Sequence, residues 1–413
     1  MPGILKIRDF RFFLLFRFLM TMAVMMQSVI VGWQLYDITH DPLDLGMIGL
    51  TEAIPQISIA LFAGHLADLR DRRTLIAVNS SLFLFGVVLL SLYSVDSIGL
   101  REMFGTLPIY IVIFSTGIVR GMLHPSVAAL MPQLVPRELY PKSASWSSAV
   151  WHSAAVAGPA IGGLIYGFVG VTAAYLTICG LVLLAVIMML SIKKRPRVQN
   201  LLKEGMFDRI KTGFRFVKGH QIILGAMALD MFAVLFGGAV ALLPVFASDV
   251  LNAGPEGLGF LRACPAAGAV LMSAYLTWRP PVRKTGVLLL SSVAGFGLCI
   301  VLFALSRNLW LSAALLFCSG LFDNISVVIR STIMQIYTPD ELRGRVAAIN
   351  SIFIGSSNEI GSFESGVTAK LFGLVPAVIF GGGMTLLVVA FAAVKAPVLR
   401  RLEFQVDNTK QEV

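Results

Sequence analysis

Charged side chains lie deep inside several apolar stretches of this sequence, where an uncompensated charge is costly. Arg120, Asp230 and Asp323 each fall about 10–14 residues into such a stretch, near the middle of a helix long enough to cross a bilayer. Arg17 lies nearer the beginning of the first stretch. A charge at this depth costs several kcal/mol unless it is paired or hydrated, so these residues are candidates for binding a charged molecule or a proton.

Two further titratable residues, His152 and Glu359, fall near the middle of other apolar stretches. We favour a structural role for His152, as an interior histidine held by hydrogen bonds, over a role as a proton carrier. Glu359 joins the acids that could bind a proton. Glu52 and Glu364 lie nearer the ends of their stretches, and their role stays open.

The composition indicates an integral membrane protein. Of the 413 residues, 57% are hydrophobic and only 14% are charged, and the mean hydropathy is +0.82. The basic stretch 193–218 and the net charge of +10 would suit a nucleic-acid patch, but both flanks of that stretch are runs that a soluble domain would not tolerate. We therefore expect a lipid bilayer as partner and no nucleic acid.

Apolar runs separated by Pro, Gly and charged clusters predict an all-α membrane protein with twelve transmembrane helices. Most Lys and Arg residues fall in alternate loops, against Arg101, Arg307 and Lys370 on the other side, so both termini are expected in the cytoplasm. The first run is too long for a signal peptide. The helices are predicted near residues 10–35, 45–67, 73–95, 107–132, 143–167, 170–192, 221–249, 257–278, 285–305, 309–336, 345–369 and 374–395.

An internal repeat divides the chain into two halves. A constant shift of 203 residues aligns Gly117 with Gly320 and Gly158 with Gly361, along with other matches over some fifty residues. Two six-helix halves related by a repeat are typical of alternating-access transporters. The predicted domains are an N-terminal six-helix bundle at 1–192, a cytoplasmic basic linker at 193–218, a C-terminal six-helix bundle at 219–398 and a cytoplasmic tail at 399–413.

The segment after the second predicted helix reads GHLADLRDRR and contains Gly64, Asp68, Arg72 and Arg73. It resembles the GxxxD…RR gating signature of the major facilitator superfamily, in the variant of its enterobactin-exporter-like members. The glycine permits close helix approach, and the aspartate could form an ion-pair latch that breaks as the halves rock. A loop made basic by the positive-inside rule, with incidental acids, is the alternative.

The fifth predicted helix contains Gly158, Pro159, Gly162 and Gly163. These residues resemble the GPxxGG motif that the same superfamily associates with exporters and antiporters. Proline removes a backbone donor and kinks a helix, whereas glycines allow close packing. A packing kink without bearing on transport direction is the alternative interpretation. The run TPDELRGRV at 338–346 is also similar to the enterobactin-exporter-like subgroup.

The resemblance implies that the first, fourth, seventh and tenth helices line a central path, and each of them carries one of the deep charges. Together with His152 and Glu359, Arg17, Arg120, Asp230 and Asp323 would then form the substrate and proton pathway. Burial favours the protonated form of a carboxyl group, whereas a nearby arginine favours its charged form. An acid coupled to Arg120 would therefore change its proton affinity when a substrate competes for that arginine.

The predicted function is proton-coupled efflux of a small amphipathic or anionic molecule, siderophore-like or a drug, across the bacterial inner membrane. A proton-coupled importer and a non-transporting receptor or scaffold stay open as alternatives. The sequence lacks a GxxxxGK[ST] loop, an HExxH helix and a GxSxG elbow, so we expect neither an enzyme nor ATP hydrolysis. We expect a monomer with no cofactor. We also expect no metal, because the four cysteines read as buried apolar side chains.

Overall fold

Long α-helices make up most of the molecule. The computed structural model describes residues 4–69, 71–194, 206–279, 284–339 and 342–404. Side-chain positions are not described for residues 60–69, 141, 206–210 and 348. The described helices of 14 or more residues are α1 Arg8–Thr39, α2 Pro42–Leu69, α3 Arg72–Tyr93, α4 Leu107–Leu134, α5 Tyr140–Val169, α6 Val171–Leu190, α7 Met206–Gly219, α8 Gln221–Phe236, α9 Gly254–Trp278, α10 Thr285–Leu305, α11 Leu309–Tyr337, α12 Arg343–Phe372 and α13 Leu374–Lys395.

Helices of this composition satisfy every backbone hydrogen bond internally, which is the requirement for crossing a bilayer. Among the described residues, 10 segments are long and apolar enough to do so. The helix α12 (30 residues) is also long enough but is more polar. The helix α2 (28 residues) includes residues 60–69, whose side chains the structure does not describe. The all-α membrane class is therefore confirmed, while the number twelve stays a prediction.

Two single-glycine connections mark equivalent points of the repeat. Gly170 joins α5 to α6 with φ +107°, and Gly373 joins α12 to α13 with φ +89°. A side chain is strained at such positive φ values, so both positions favour glycine. The two residues are separated by the same 203 positions that the sequence repeat predicts.

The helix pairs within each unit follow the repeat as well. The pairs α1–α5 and α3–α6 in the first half correspond to α8–α12 and α10–α13 in the second. A Cβ on Gly158 would lie 2.9 Å from the Met22 oxygen of α1, and one on Gly361 would lie 2.6 Å from the Leu235 oxygen of α8. Equivalent glycines thus permit equivalent close approaches.

The first compact unit comprises Met1–Lys203 and Val240–Ala263. Its core contains Phe10, Phe13 and Tyr175, none of them exposed to solvent. The Tyr175 hydroxyl donates a hydrogen bond to Gln34 Oε1 (2.7 Å), which satisfies both buried polar groups.

The second compact unit comprises Glu204–Ala239 and Cys264–Val413. Its core includes Ile223, Leu289 and Ile333. The amphipathic helix α7 packs its buried Val217 into this core, and its Gly213 lies against α12. The predicted domain bounds at 192 and 219 stay a prediction.

The seventh predicted helix, 221–249, is not continuous. The helix α8 ends at Phe236, and Gly237 and Gly238 are followed by short 3-10, α and π turns up to Val250. Consecutive glycines make a helix unfavourable at that point, which the apolar pattern alone does not show. In the first unit, the Tyr36 hydroxyl of α1 donates a hydrogen bond to Asp249 Oδ2 (2.5 Å).

Candidate functional site

The second unit buries an ion pair between two of its helices. Arg330 of α11 pairs with Asp230 of α8, and their side chains are only 8% and 9% exposed. Arg330 Nε also donates to the Ser326 hydroxyl (3.1 Å), one turn earlier on the same helix. These contacts fix the guanidinium, as a buried charge requires.

Asp323 belongs to the same group of charges. It precedes Arg330 by seven residues, which places both on one face of α11. Asp323 is half-buried on the side of α11 that carries the Arg330 end of the ion pair. Its membership of a proton pathway stays a prediction.

The first unit has its own ion pair, between Arg120 of α4 and Glu52 of α2. Close contact of these helices positions it, because Gly117 lies against the Glu52 carbonyl oxygen and Gly121 lies against the backbone of Gln56. The Arg120 side chain is 37% exposed, whereas that of Glu52 is 14% exposed. Arg120 thus keeps part of its surface exposed while it holds an internal anion.

The first unit also contains a cavity of about 330 Å³. It is lined by Arg17 of α1, His124 of α4, and Ser147 and Trp151 of α5, among others. His124 lies within Coulombic range of both Arg17 and Arg120. The cavity therefore has positive charge on one side and an indole ring on another.

His152 and Glu359 are both partly exposed to solvent. His152 of α5 is half-buried, and its ring meets the ring of Trp151 edge-on, with centroids 5.0 Å apart. Glu359 is half-buried on α12. Their membership of a substrate or proton pathway stays a prediction.

The predicted gating signature spans two helices rather than a loop. Gly64 lies in the last turns of α2, and α3 begins directly at Arg72. The reason is Asp71, whose carboxylate accepts a hydrogen bond from the Thr74 amide (3.3 Å) and caps the start of α3. The structure does not describe the side chain of Asp68, so the ion-pair latch stays a prediction.

The two arginines of that signature bind carbonyl groups. Arg72 donates to the Ala129 carbonyl in α4 (2.8 Å). Arg73 Nε donates to the Met189 carbonyl (3.3 Å), and a second Arg73 nitrogen donates to the Leu190 carbonyl at the end of α6. Cations at a helix C-terminus satisfy its free carbonyls and oppose the helix dipole. Both arginines therefore tie α3 to neighbouring helices.

The predicted exporter motif lies inside one continuous helix, α5. Gly158 and Gly162 face α1, where a Cβ on Gly162 would meet Met26 at 3.3 Å. Gly163 faces α9, since a Cβ there would lie 2.6 Å from Gly259 Cα. The motif is thus a packing seam on two sides of α5; its bearing on transport direction stays a prediction.

Sequence reasoning missed several residues of these clusters. His124 follows Arg120 by four residues and Trp151 follows Ser147 by four, so each pair shares a helix face. A polar or aromatic residue four positions from another candidate on the same helix was the sequence signal that could have identified them. For Glu52 and Arg330 no pattern in the sequence indicates the partner, because helix rotation decides which side chains meet.

The sequence profile of the transmembrane secretion effector family matches residues 4–411. The chain is also similar to the enterobactin exporter EntS of Shigella boydii serotype 18. The two are 23% identical over 381 residues, which cover 89% of each chain.

Solved structures share the fold. A POT family transporter in complex with 5-aminolevulinic acid superimposes with a TM-score of 0.74 at 11% identity, covering 95% of this chain and 96% of that one. A D-xylose-proton symporter superimposes with a TM-score of 0.69 at 15% identity, covering 94% and 96%. At these identities the likeness establishes the fold.

Proposed function

Because the chain belongs to the transmembrane secretion effector family, and so to the transporters of the major facilitator superfamily, we propose that it couples proton entry to export of a small amphipathic or anionic molecule. The observation that carries the proposal is the buried ion pair of Asp230 and Arg330, with the half-buried Asp323 on the same face of α11 as Arg330. These two acids offer a site for one exchangeable proton in a helix bundle whose fold is that of transporters.

We assign the exchangeable proton to Asp323. Asp230 has the direct ion pair with Arg330, so it serves as the partner of that guanidinium. Asp323 lies on the same face of α11 without replacing that pair, and in the proposed cycle its carboxyl group takes up a proton from one side and releases it to the other. Protonation and release on opposite faces are what proton coupling requires.

The first unit supplies the charge for an anionic cargo. Glu52 holds the Arg120 guanidinium, and an anionic group on the cargo competes with Glu52 for it. The Arg120 side chain is the more exposed partner, whereas Glu52, at 14% exposed, loses its cation in the exchange at a cost that the cargo contacts must offset. Glu52 thus serves as the internal anion of the unloaded transporter.

The relative named an enterobactin exporter supports the direction of transport and suggests the first cargo to test, enterobactin itself. We propose a bacterial inner membrane as its location, with both termini cytoplasmic, as the distribution of basic residues predicts. The proposal needs no cofactor, because the proton gradient supplies the driving force.

Inside-out membrane vesicles test the proposal. With an imposed gradient, acidic inside, we expect enterobactin to accumulate in vesicles that contain the protein and a protonophore to abolish accumulation. Asp323→Asn should remove the dependence on the gradient, whereas Asp96→Asn, at an exposed position, should not. Accumulation in right-side-out vesicles instead would establish import and overturn the proposed direction.

A further inference from the structure

We propose that the cavity lined by Arg17, His124, Ser147 and Trp151 is a subsite for an aromatic carboxylate group of the cargo. The inference rests on the proposed function, since it names the chemical class of the molecule that is moved. It adds a binding site within the first unit to the ion-pair sites already described.

The topology brings the four residues to one end of the first unit. Arg17 lies 9 residues after the start of α1 at Arg8, and Ser147 lies 7 residues after the start of α5 at Tyr140. His124 lies 10 residues before the end of α4 at Leu134. The start of α1, the end of α4 and the start of α5 share the end of the bundle that the positive-inside rule assigns to the cytoplasm, where an exporter takes up its cargo.

Two polar groups of this cavity are unsatisfied. In the described part of the chain, Arg17 Nε and the Ser147 hydroxyl are buried without a hydrogen-bond partner. The Ser147 residue is only 4% exposed. Leaving a buried polar group unpaired costs about 1–3 kcal/mol, so both groups favour a ligand that supplies an acceptor.

The charge of the cavity selects an anion. Among the described residues, Arg17 forms no ion pair, whereas Arg120 nearby is already held by Glu52. A carboxylate can accept hydrogen bonds from the Arg17 guanidinium and from Ser147 at the same time. Bonds between a guanidinium and a carboxylate are short and about twice as strong as neutral ones.

The rest of the cavity selects a ring. Trp151, Val127 and Met131 line it, and an indole can stack against or meet the edge of an aromatic group. The volume of about 330 Å³ lies at the lower end of ~300–1,000 Å³ for small-molecule sites. It therefore suits one substituted ring and its acid group, while a larger cargo extends beyond it.

Binding of salicylate to the full-length protein in lipid nanodiscs tests the subsite, measured by calorimetry. Arg17→Gln should weaken salicylate binding by about tenfold or more, and Trp151→Leu by about 2–10-fold. The matched controls are Arg101→Gln and Trp146→Leu, which replace exposed residues outside the cavity and should change affinity less than about twofold. Thermal unfolding of each variant identifies any that fail to fold, and Arg17→Met, which also removes the charge, then replaces Arg17→Gln.

Two chemical controls sharpen the result. Benzyl alcohol retains the ring without the charge, and cyclohexanecarboxylate retains the charge without the aromatic ring. Both should bind more weakly than salicylate. Equal binding of either compound, or unchanged salicylate affinity in folded Arg17→Gln or Arg17→Met, would overturn the subsite.

The vesicle assay separates this inference from the proposed function. If salicylate binds with the expected pattern but no cargo accumulates in vesicles, the subsite stands and export fails. If salicylate accumulates in the vesicles with an unchanged KM in Arg17→Gln, export stands and the subsite fails.

Discussion

Removing the two acids around Arg330 one at a time, and then together, should give strongly non-additive losses of stability. Asp230→Asn breaks the ion pair directly. Since Asp323 lies on the same face of α11 as Arg330, we expect its carboxylate to take over as partner. Asp323→Asn leaves the pair intact, and the double variant leaves Arg330 buried without an acid from this cluster.

The burial of the pair sets the magnitudes. With side chains 8% and 9% exposed, removing every acidic partner of Arg330 should cost about 3–5 kcal/mol of unfolding free energy. Replacement of the partner by Asp323 should reduce the loss in Asp230→Asn to about 1–2 kcal/mol. Asp323→Asn, which keeps the existing pair, should change stability by less than about 1 kcal/mol.

Reversible unfolding of the purified protein by SDS in mixed micelles measures the three losses, with Asp96→Asn as a control at an exposed acid. The sum of the two single losses should fall short of the double loss by about 1 kcal/mol or more. Additive losses would show that Asp323 cannot serve Arg330, and the shared-proton cluster would then be refuted.

Three further outcomes follow from the helix contacts. Gly158→Ala should cost about 1–3 kcal/mol of unfolding free energy because its Cβ would lie 2.9 Å from a backbone oxygen of α1. Gly180→Ala, at a position with open space, should instead leave stability unchanged or raise it by up to ~1 kcal/mol; equal losses would contradict the packing seam. Glu52→Gln should lower the KM for an anionic cargo about tenfold by freeing Arg120, and an unchanged KM in transport kinetics would remove Glu52 from the mechanism. Arg73→Gln should cost about 1 kcal/mol through its bonds to the end of α6, whereas unchanged unfolding would exclude a capping role.

Much of the fold follows from the sequence because apolar length and turn residues determine where a membrane helix begins and ends. The repeat is a second strong signal: the shift of 203 residues that aligns Gly158 with Gly361 also relates Gly170 to Gly373 in the structure. Glycine is informative in this way since a positive φ or a close backbone contact excludes other residues.

The candidate site is less predictable. The depth of Asp230 and Asp323 in their helices was visible from the sequence, but the pairing of Asp230 with Arg330 depends on how α8 and α11 are rotated about their axes. Arg120 was expected to couple to a proton-binding acid, and within its own unit it pairs with Glu52. Periodicity gives the face of a helix, not the neighbour that the face meets.

The local helix breaks depend on short-range chemistry that hydropathy averages out. Gly237 and Gly238 interrupt an otherwise apolar run, and Asp71 caps the start of α3, one residue before the predicted bound at 73. In both cases one or two residues decide the backbone path.

Proton movement during export tests the central claim most directly. Proteoliposomes that contain a trapped pH-sensitive dye, the purified protein and enterobactin should show proton flux opposite to cargo flux. Asp323→Asn should abolish that flux while the protein still folds and binds cargo. Cargo movement in the wild type without proton flux, or an unchanged proton flux in Asp323→Asn, would contradict the account.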